Sequence, residues 1–131
     1  MNIKDDLVRH YHWLRQYGLN DSHSGNASVR DGDAIWITPT GCCADTLSSG
    51  ELVECRPDGV IGKGASMDAR LHLAVYQANP DTHAVLHSHG PYSVAMTMDN
   101  EEFFPADFEG QLYLSRVPVL TIPYDQYAAR S

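Results

Sequence analysis

The sequence is poor in positive charge and has no long apolar run, and each shortage excludes a class of protein. Its 131 residues include 9 lysines and arginines against 17 aspartates and glutamates, a formal charge of −8. Because a nucleic-acid-binding surface needs clustered Lys and Arg, and no basic run occurs, we expect no nucleic-acid partner. No stretch approaches the roughly 20 apolar residues of a membrane span, so we expect no membrane partner either.

Cysteine is also scarce. Cys42, Cys43 and Cys55 form no disulfide framework, and the adjacent pair lacks the C-x-x-C spacing of a metal clip. Charged residues interrupt residues 1–20, which therefore do not form a secretory signal peptide. We expect a cytoplasmic protein whose three cysteines are ordinary small residues in a reducing compartment.

What the sequence does contain is typical of one globular α/β domain over residues 1–131, with 43% hydrophobic and 20% charged residues. Periodicity predicts helices over 3–17, 68–78 and 91–98. Alternation and turn residues predict strands over 27–30, 34–38, 52–55, 83–89 and 117–122. Short hairpin connections favour a largely antiparallel or mixed sheet. For the second helix, Ser66 is the predicted N-cap, and the predicted buried stripe consists of Leu71, Ala74, Val75 and Ala78.

The run HAVLHSHGP, residues 83–91, places two imidazoles one residue apart at the end of an apolar strand. Side chains alternate along a strand, so His87 and His89 share a face. Two such imidazoles can bind one metal ion, but they need at least one further ligand. The alternative is a strand that ends in histidines without any functional reason.

Asp68 is the acidic residue that the predicted topology brings toward this pair. A helix over 68–78 spans about 16 Å and a strand over 83–88 about 18–20 Å, so the two lengths match. The start of the helix can therefore lie beside the end of the strand. The alternative is an acid that only favours the helix N-terminus.

Two turns, Gly25-Asn26 and Thr40-Gly41, combine exposed backbone N–H groups with amide and hydroxyl side chains. Such turns can bind an anion such as phosphate. Taken singly, each is also ordinary turn chemistry.

In this order, the residues resemble the class II aldolase/adducin family. The matching segments are Gly25-Asn26-Ala27-Ser28, Ile37-Thr38-Pro39-Thr40-Gly41, Asp68 four residues before His72, and His87-Ser88-His89. The resemblance extends along the chain to about Tyr124.

The resemblance implies a three-layer α/β/α fold with a central, mostly antiparallel sheet, in a homo-oligomer that is usually a tetramer. It implies zinc or another divalent metal on His87 and His89, with Asp68 as the catalytic proton-transfer group. The implied activity is that of a metal-dependent aldolase or epimerase, which acts on a small sugar phosphate or related hydroxy-carbonyl compound through a metal-stabilised enediolate. Five residues would bind the substrate and its phosphate: Gly25, Asn26, Thr40, Gly41 and Ser66.

Three features depart from the family pattern and keep other functions open. Asp68 replaces the longer Glu of fuculose-type aldolases and matches the epimerase-like form. Met67 stands where a second hydroxyl is common, and a thioether cannot donate to phosphate. No histidine follows His89, whereas the family enzymes add a metal histidine farther along. We therefore expect a C-terminally truncated chain, and the alternatives are an adducin-like binding or assembly module and a truncated, inactive enzyme.

Overall fold

A computed structural model describes residues 2–99 and 102–128, and the chain divides into two compact units. The first unit runs up to His89, and the second begins at Gly90. The single domain predicted for residues 1–131 stays a prediction.

The first unit contains two helices and one four-stranded antiparallel sheet, so the predicted antiparallel arrangement is confirmed. The sheet has the order β3-β2-β1-β4. One turn of 3-10 helix (Ser49–Glu51) precedes β3. The elements are α1 (Ile3–Gln16), β1 (Asn26–Asp31), β2 (Ala34–Ile37), β3 (Val53–Cys55), α2 (Ala69–Ala78) and β4 (Ala84–His87).

The two helices lie on opposite faces of this sheet. Ser28 of β1 pairs with Ile37 of β2, and both side chains face α2, whereas the next pair, Val29 and Trp36, faces α1. The α1 face is a buried apolar cluster that includes Leu7, Val8, Tyr11, Ala27 and Val29. The α2 face is a second cluster that includes Ile35, Ile37, Cys55, Leu73 and Tyr76. The three-layer α/β/α fold predicted from the resemblance is therefore confirmed for this unit.

The predicted orientation of α2 was wrong. Leu71 is 52% exposed, and Ala74 and Ala78 are exposed as well. The buried face consists of Ala69, His72, Leu73 and Tyr76. An apolar stripe fails to predict this face because two of its four members carry polar atoms, which the sheet satisfies with hydrogen bonds.

The start of α2 also differs from the prediction, because Asp68, not Ser66, is the N-cap. The Ala69 amide donates to the Ser66 carbonyl at 3.0 Å, and the Asp68 amide donates to Ser66 Oγ at 3.2 Å. Ser66 therefore closes the turn that precedes the helix, which moves the cap two residues onward.

A buried chain of hydrogen bonds runs between α2 and β1. Ser28 Oγ lies 2.7 Å from His72 Nδ1 and 2.8 Å from the Tyr76 hydroxyl. His72 Nε2 lies 2.5 Å from Asn26 Oδ1, which can only accept, so Nε2 carries the ring proton. Nδ1 of the neutral ring then accepts from Ser28, whose oxygen accepts from Tyr76. Every polar atom of the buried His72 ring therefore has a partner.

The second unit is built from short elements: α3 (Pro91–Thr97), β5 (Glu102–Phe103), α4 (Phe108–Tyr113), β6 (Val117–Pro118) and α5 (Tyr124–Ala128). β5 and β6 pair antiparallel. The helix predicted over 91–98 is confirmed, but the strand predicted over 117–122 ends at Pro118, whose ring nitrogen cannot donate to a ladder. Within the described ranges of both units, no helix has the length and apolar character needed to cross a membrane.

Arg30 connects β1 to the end of α2, and its loss should destabilise the first unit. Its guanidinium donates to the Tyr76 carbonyl at 3.0 Å and to the Pro80 carbonyl at 3.1 Å, and it lies over the Tyr76 ring. We expect Arg30→Ala to lower the free energy of unfolding by about 1.5–3 kcal/mol, the range for hydrogen bonds of charged groups. Urea denaturation followed by circular dichroism measures this change.

The control is Arg56→Ala, because Arg56 forms an ion pair with Glu54 at 3.4 Å between two exposed side chains. Such pairs contribute at most about 1 kcal/mol. Equal losses in the two variants would contradict the role given to Arg30.

The buried, neutral His72 should make folding sensitive to acid. Burial lowers the pKa of His72 to about 4, although the nearby Asp68 opposes the shift. In the unfolded chain the ring titrates near 6.5, so between these values only the unfolded state binds the proton. The stabilisation that the neutral His72 ring contributes to the folded state is complete above pH 6.5 and is lost as the pH falls toward 4. We expect a loss on the order of 3 kcal/mol by pH 4.

Denaturation series between pH 4 and pH 7 test this expectation. His72→Gln should show a smaller decrease of stability toward low pH than the wild type. His83→Gln, at an exposed position, should keep the wild-type decrease. A folded His72→Gln chain with the full acid dependence would assign the effect to other groups.

Candidate active site

The candidate site lies where the end of β4 meets the start of α2 and the start of β1. Asn26, the first residue of β1, pairs in the sheet with His87, the last residue of β4. Asp68 is the N-cap of α2, and its Oδ2 lies 2.9 Å from His87 Nδ1. The matched lengths of helix and strand predicted this approach, and the structure confirms it.

Asp68 Oδ2 accepts two hydrogen bonds in a largely buried position. Asn26 Nδ2 donates to it at 2.6 Å, and His87 Nδ1 donates at 2.9 Å; the Asp68 side chain is 11% exposed. An ionised carboxylate can only accept, so this pattern assigns a proton to His87 Nδ1. In the neutral ring, His87 Nε2 then keeps its lone pair. Metal-binding histidines commonly have this arrangement, with the second nitrogen bonded to a carboxylate.

Asn26 connects this carboxylate to the buried chain beneath α2. Its Oδ1 accepts from His72, and its Nδ2 donates to Asp68. The opposite amide orientation would place the amide oxygen against the Asp68 carboxylate, which can only accept, so the contact with Asp68 fixes the carboxamide. The sequence predicts Asn26 as a phosphate ligand, and that role stays a prediction.

His89 lies beyond the end of β4 and is exposed. Its ring centre is nevertheless 4.8 Å from that of His87, with the two planes inclined by 38°. The predicted strand was two residues too long here, because Asn20 and Leu19 contact the backbone of His89 in place of a neighbouring strand.

Asn20 is a site residue that the sequence reasoning missed. It is 4% exposed; its Oδ1 accepts from the His89 amide at 2.8 Å, and its Nδ2 donates to the His87 carbonyl at 3.5 Å. Its position two residues after Gly18 is typical of a turn, and no spacing rule connects it to a motif 67 residues later in the chain.

Gly25 packs directly against this contact. Its φ is +70°, and a Cβ at this position would collide with Asn20 Nδ2 and with the His87 carbonyl oxygen. The close approach therefore requires glycine. Sequence reasoning gave Gly25 a phosphate-binding role, which stays a prediction.

The remaining predicted substrate residues lie on two neighbouring turns. Ser66 is buried and accepts from the Asp68 amide, while its own amide donates to the Thr38 carbonyl at 3.1 Å. Thr40 is exposed and donates its amide to the Gly64 carbonyl at 2.9 Å. Gly41 is exposed with φ +67°. The structure thus joins Ser66 directly to Asp68, whereas Thr40 and Gly41 lie on the adjacent turn.

The donor set fits part of a divalent metal site. Across residues 2–99 and 102–128, no three side chains of His, Cys, Asp or Glu form a group able to hold a metal ion. Catalytic zinc sites usually have three protein ligands and one open position. His87 and His89 fit two of these ligands, with the Asp68 carboxylate orienting the first.

Comparison with known proteins identifies the family. Residues 5–131 match the profile of the Class II Aldolase and Adducin N-terminal domain. The chain is 33% identical over 94 residues to an L-fuculose phosphate aldolase of Methanocaldococcus jannaschii, covering 71% of this chain and 52% of that protein. It is 33% identical over 98 residues to a 3-oxo-tetronate 4-phosphate decarboxylase of Cupriavidus necator, covering 73% and 45%.

The structural comparison agrees with the sequence comparison. The crystal structure of l-fuculose-1-phosphate aldolase from Thermus thermophilus matches with a TM-score of 0.85 and 30% identity, covering 99% of this chain and 70% of that one. The chain spans about half the length of the two curated relatives. It belongs to the class II aldolase and adducin N-terminal domain family.

Proposed function

We propose that the chain carries the acid-and-metal part of a lyase active site that cleaves a carbon–carbon bond in a small sugar phosphate or related hydroxy-carbonyl compound. The observation that carries the proposal is the contact of Asp68 Oδ2 with His87 Nδ1 beside the ring of His89. The names of the two curated relatives support it, because aldol cleavage and decarboxylation of a 3-oxo acid both leave negative charge next to a carbonyl.

His87 and His89 are the proposed ligands of a divalent ion. His87 would bind through Nε2, since Nδ1 donates to Asp68. Neutral imidazole suits zinc, and a bound ion would act as a Lewis acid toward a substrate oxygen on which negative charge develops. Solvent, substrate or a neighbouring subunit of a homo-oligomer, which we take to be a tetramer, would complete the ligand set.

Asp68 is the proposed proton-transfer residue. Its Oδ2 is engaged by Asn26 and His87, which leaves Oδ1 to accept a proton from the substrate and to return it. The two donors at Oδ2 hold the carboxylate in one orientation, and such orientation is what general acid–base catalysis needs.

The turns around residues 25–26 and 40–41, together with Ser66, are the proposed binding site for the substrate phosphate. Local donors matter here because the formal charge of −8 repels anions at long range. Ser66 is the member of this set that hydrogen-bonds the Asp68 backbone, so it would link phosphate binding to the position of the carboxylate.

A non-catalytic, adducin-like binding or assembly module is the alternative function. The Asp68–His87 contact favours the enzyme, because it leaves the lone pair of His87 Nε2 available to a metal ion, which a binding module does not require.

Metal content tests the proposed ligands. We expect about one zinc per chain after dialysis, the stoichiometry of a mononuclear site, and its loss in the double variant His87→Ala/His89→Ala. Elemental analysis by mass spectrometry measures both.

The matched control is His10→Ala/His12→Ala, which removes a second pair of histidines one residue apart, here on α1. This control should keep its zinc. If the zinc content of the wild type did not exceed that of His87→Ala/His89→Ala, this chain would not form a complete metal site.

Turnover of sugar phosphates tests the proton-transfer role. We expect Asp68→Asn to lower the rate of aldehyde or ketone release by about 10²- to 10⁴-fold, the usual contribution of a general acid or base; the rate is measured at saturating zinc, because the variant also loses the carboxylate that orients His87. Asp81→Asn, an exposed acid after α2, is the control and should retain activity. Equal turnover in Asp68→Asn and wild type would exclude the role, and wild-type protein that binds zinc but releases no product would favour the non-catalytic module.

A further inference from the structure

We propose that Asn20 is a positioning residue, whose buried carboxamide fixes the backbone on both sides of Ser88 and thereby sets the separation of the His87 and His89 rings. The inference rests on the proposed metal-binding role of the two histidines. We use the term Asn20 junction for the side chain of Asn20, the backbone of Gly25 and the backbone of residues 87–89.

The two ends of the Asn20 side chain contact opposite sides of Ser88. Its Oδ1 accepts from the His89 amide at 2.8 Å, and its Nδ2 donates to the His87 carbonyl at 3.5 Å. The His89 amide also donates to the Leu19 carbonyl at 2.9 Å. The chain therefore leaves β4 along a path set by residues 19 and 20.

This anchoring compensates for the lack of strand pairing at His89. The register of β4 with β1 ends at the pair of His87 and Asn26. Both Ser88 and His89 are exposed, so their conformations depend on a few hydrogen bonds and not on burial. Without the Asn20 contacts, rotation about the backbone of Ser88 would change the distance between the two rings.

Asn20 is itself attached to a rigid element. Its amide donates to the Leu14 carbonyl at 3.1 Å, and the Leu19 amide donates to the same carbonyl at 2.8 Å. Leu14 belongs to α1. The carboxamide therefore holds residues 87–89 against the end of a fourteen-residue helix.

Gly25 permits the contact. A Cβ on Gly25 would occupy the space of both Asn20 Nδ2 and the His87 carbonyl oxygen. Any other residue at position 25 would separate these two atoms. A carboxamide at 20 and a glycine at 25 are thus required together.

The test compares two variants of the junction with one matched control. Asn20→Ala removes both side-chain contacts, and Gly25→Ala separates the atoms that make them. Gly32→Ala is the control: Gly32 has φ +58° in the β1–β2 turn, and its added Cβ meets no atom within 4 Å. It shares the left-handed backbone strain of Gly25→Ala without touching the histidine segment.

Zinc alone is the probe. Its affinity is measured on folded protein by competition with a chromophoric chelator, and the geometry of the site by the visible absorption of the Co²⁺ form. We expect about 10- to 100-fold weaker zinc binding in Asn20→Ala and Gly25→Ala, the usual effect of removing a group that orients a ligand, with an altered Co²⁺ spectrum. Gly32→Ala should bind as the wild type does, even where its unfolding midpoint falls.

Wild-type zinc affinity and Co²⁺ spectrum in folded Asn20→Ala would overturn the inference. The inference would also be overturned if Gly32→Ala lost as much zinc affinity as Gly25→Ala, because the loss of zinc affinity would then follow only from the lower stability of the variants.

Failure of the proposed function gives a different result, namely no zinc binding by the wild type. Hydrogen exchange at the His89 amide then decides the inference without any metal. Faster exchange in Asn20→Ala than in wild type and Gly32→Ala supports the Asn20 junction, and equal exchange overturns it.

Discussion

The candidate site depends on one constraint, which is that the polar side chains of Tyr76, Ser28 and His72, buried between α2 and β1, must find hydrogen-bond partners. Tyr76, Ser28 and His72 satisfy one another, and the chain of donors continues through Asn26 to Asp68. An unpaired group at this depth costs about 1–3 kcal/mol. The same bonds that avoid this cost also orient the Asp68 carboxylate toward His87, so the packing of the helix and the geometry of the site have one physical origin.

Much of this arrangement could be predicted from the sequence, because local patterns determine it. The helix over 3–17, the hairpin of β1 and β2 and the antiparallel sheet follow from periodicity and turn residues. The approach of Asp68 to His87 follows from the lengths of a helix and a strand. The family follows from the order of several short motifs.

The sequence could not predict features that depend on contacts between distant polar atoms. The buried face of α2 was predicted wrongly because His72 and Tyr76 are buried with their polar atoms bonded to Ser28. A hydrophobicity scale does not account for such hydrogen bonds. Asn20 was missed for a related reason. Its side-chain carboxamide bonds to backbone atoms of residues 87 and 89, and no local sequence rule connects a turn to a strand end so far along the chain.

The close packing of Asn20, Gly25 and the His87 carbonyl against one another has a consequence for protein engineering. A His-x-His strand end copied by itself into another scaffold would lack the support that orders its second histidine. The smallest unit that can be transplanted comprises three separate pieces of chain: the last turn of α1 with the loop to β1, the end of β4, and the helix start that carries Asp68. The motif that is easiest to read in the sequence is therefore only one part of what a designer would have to graft.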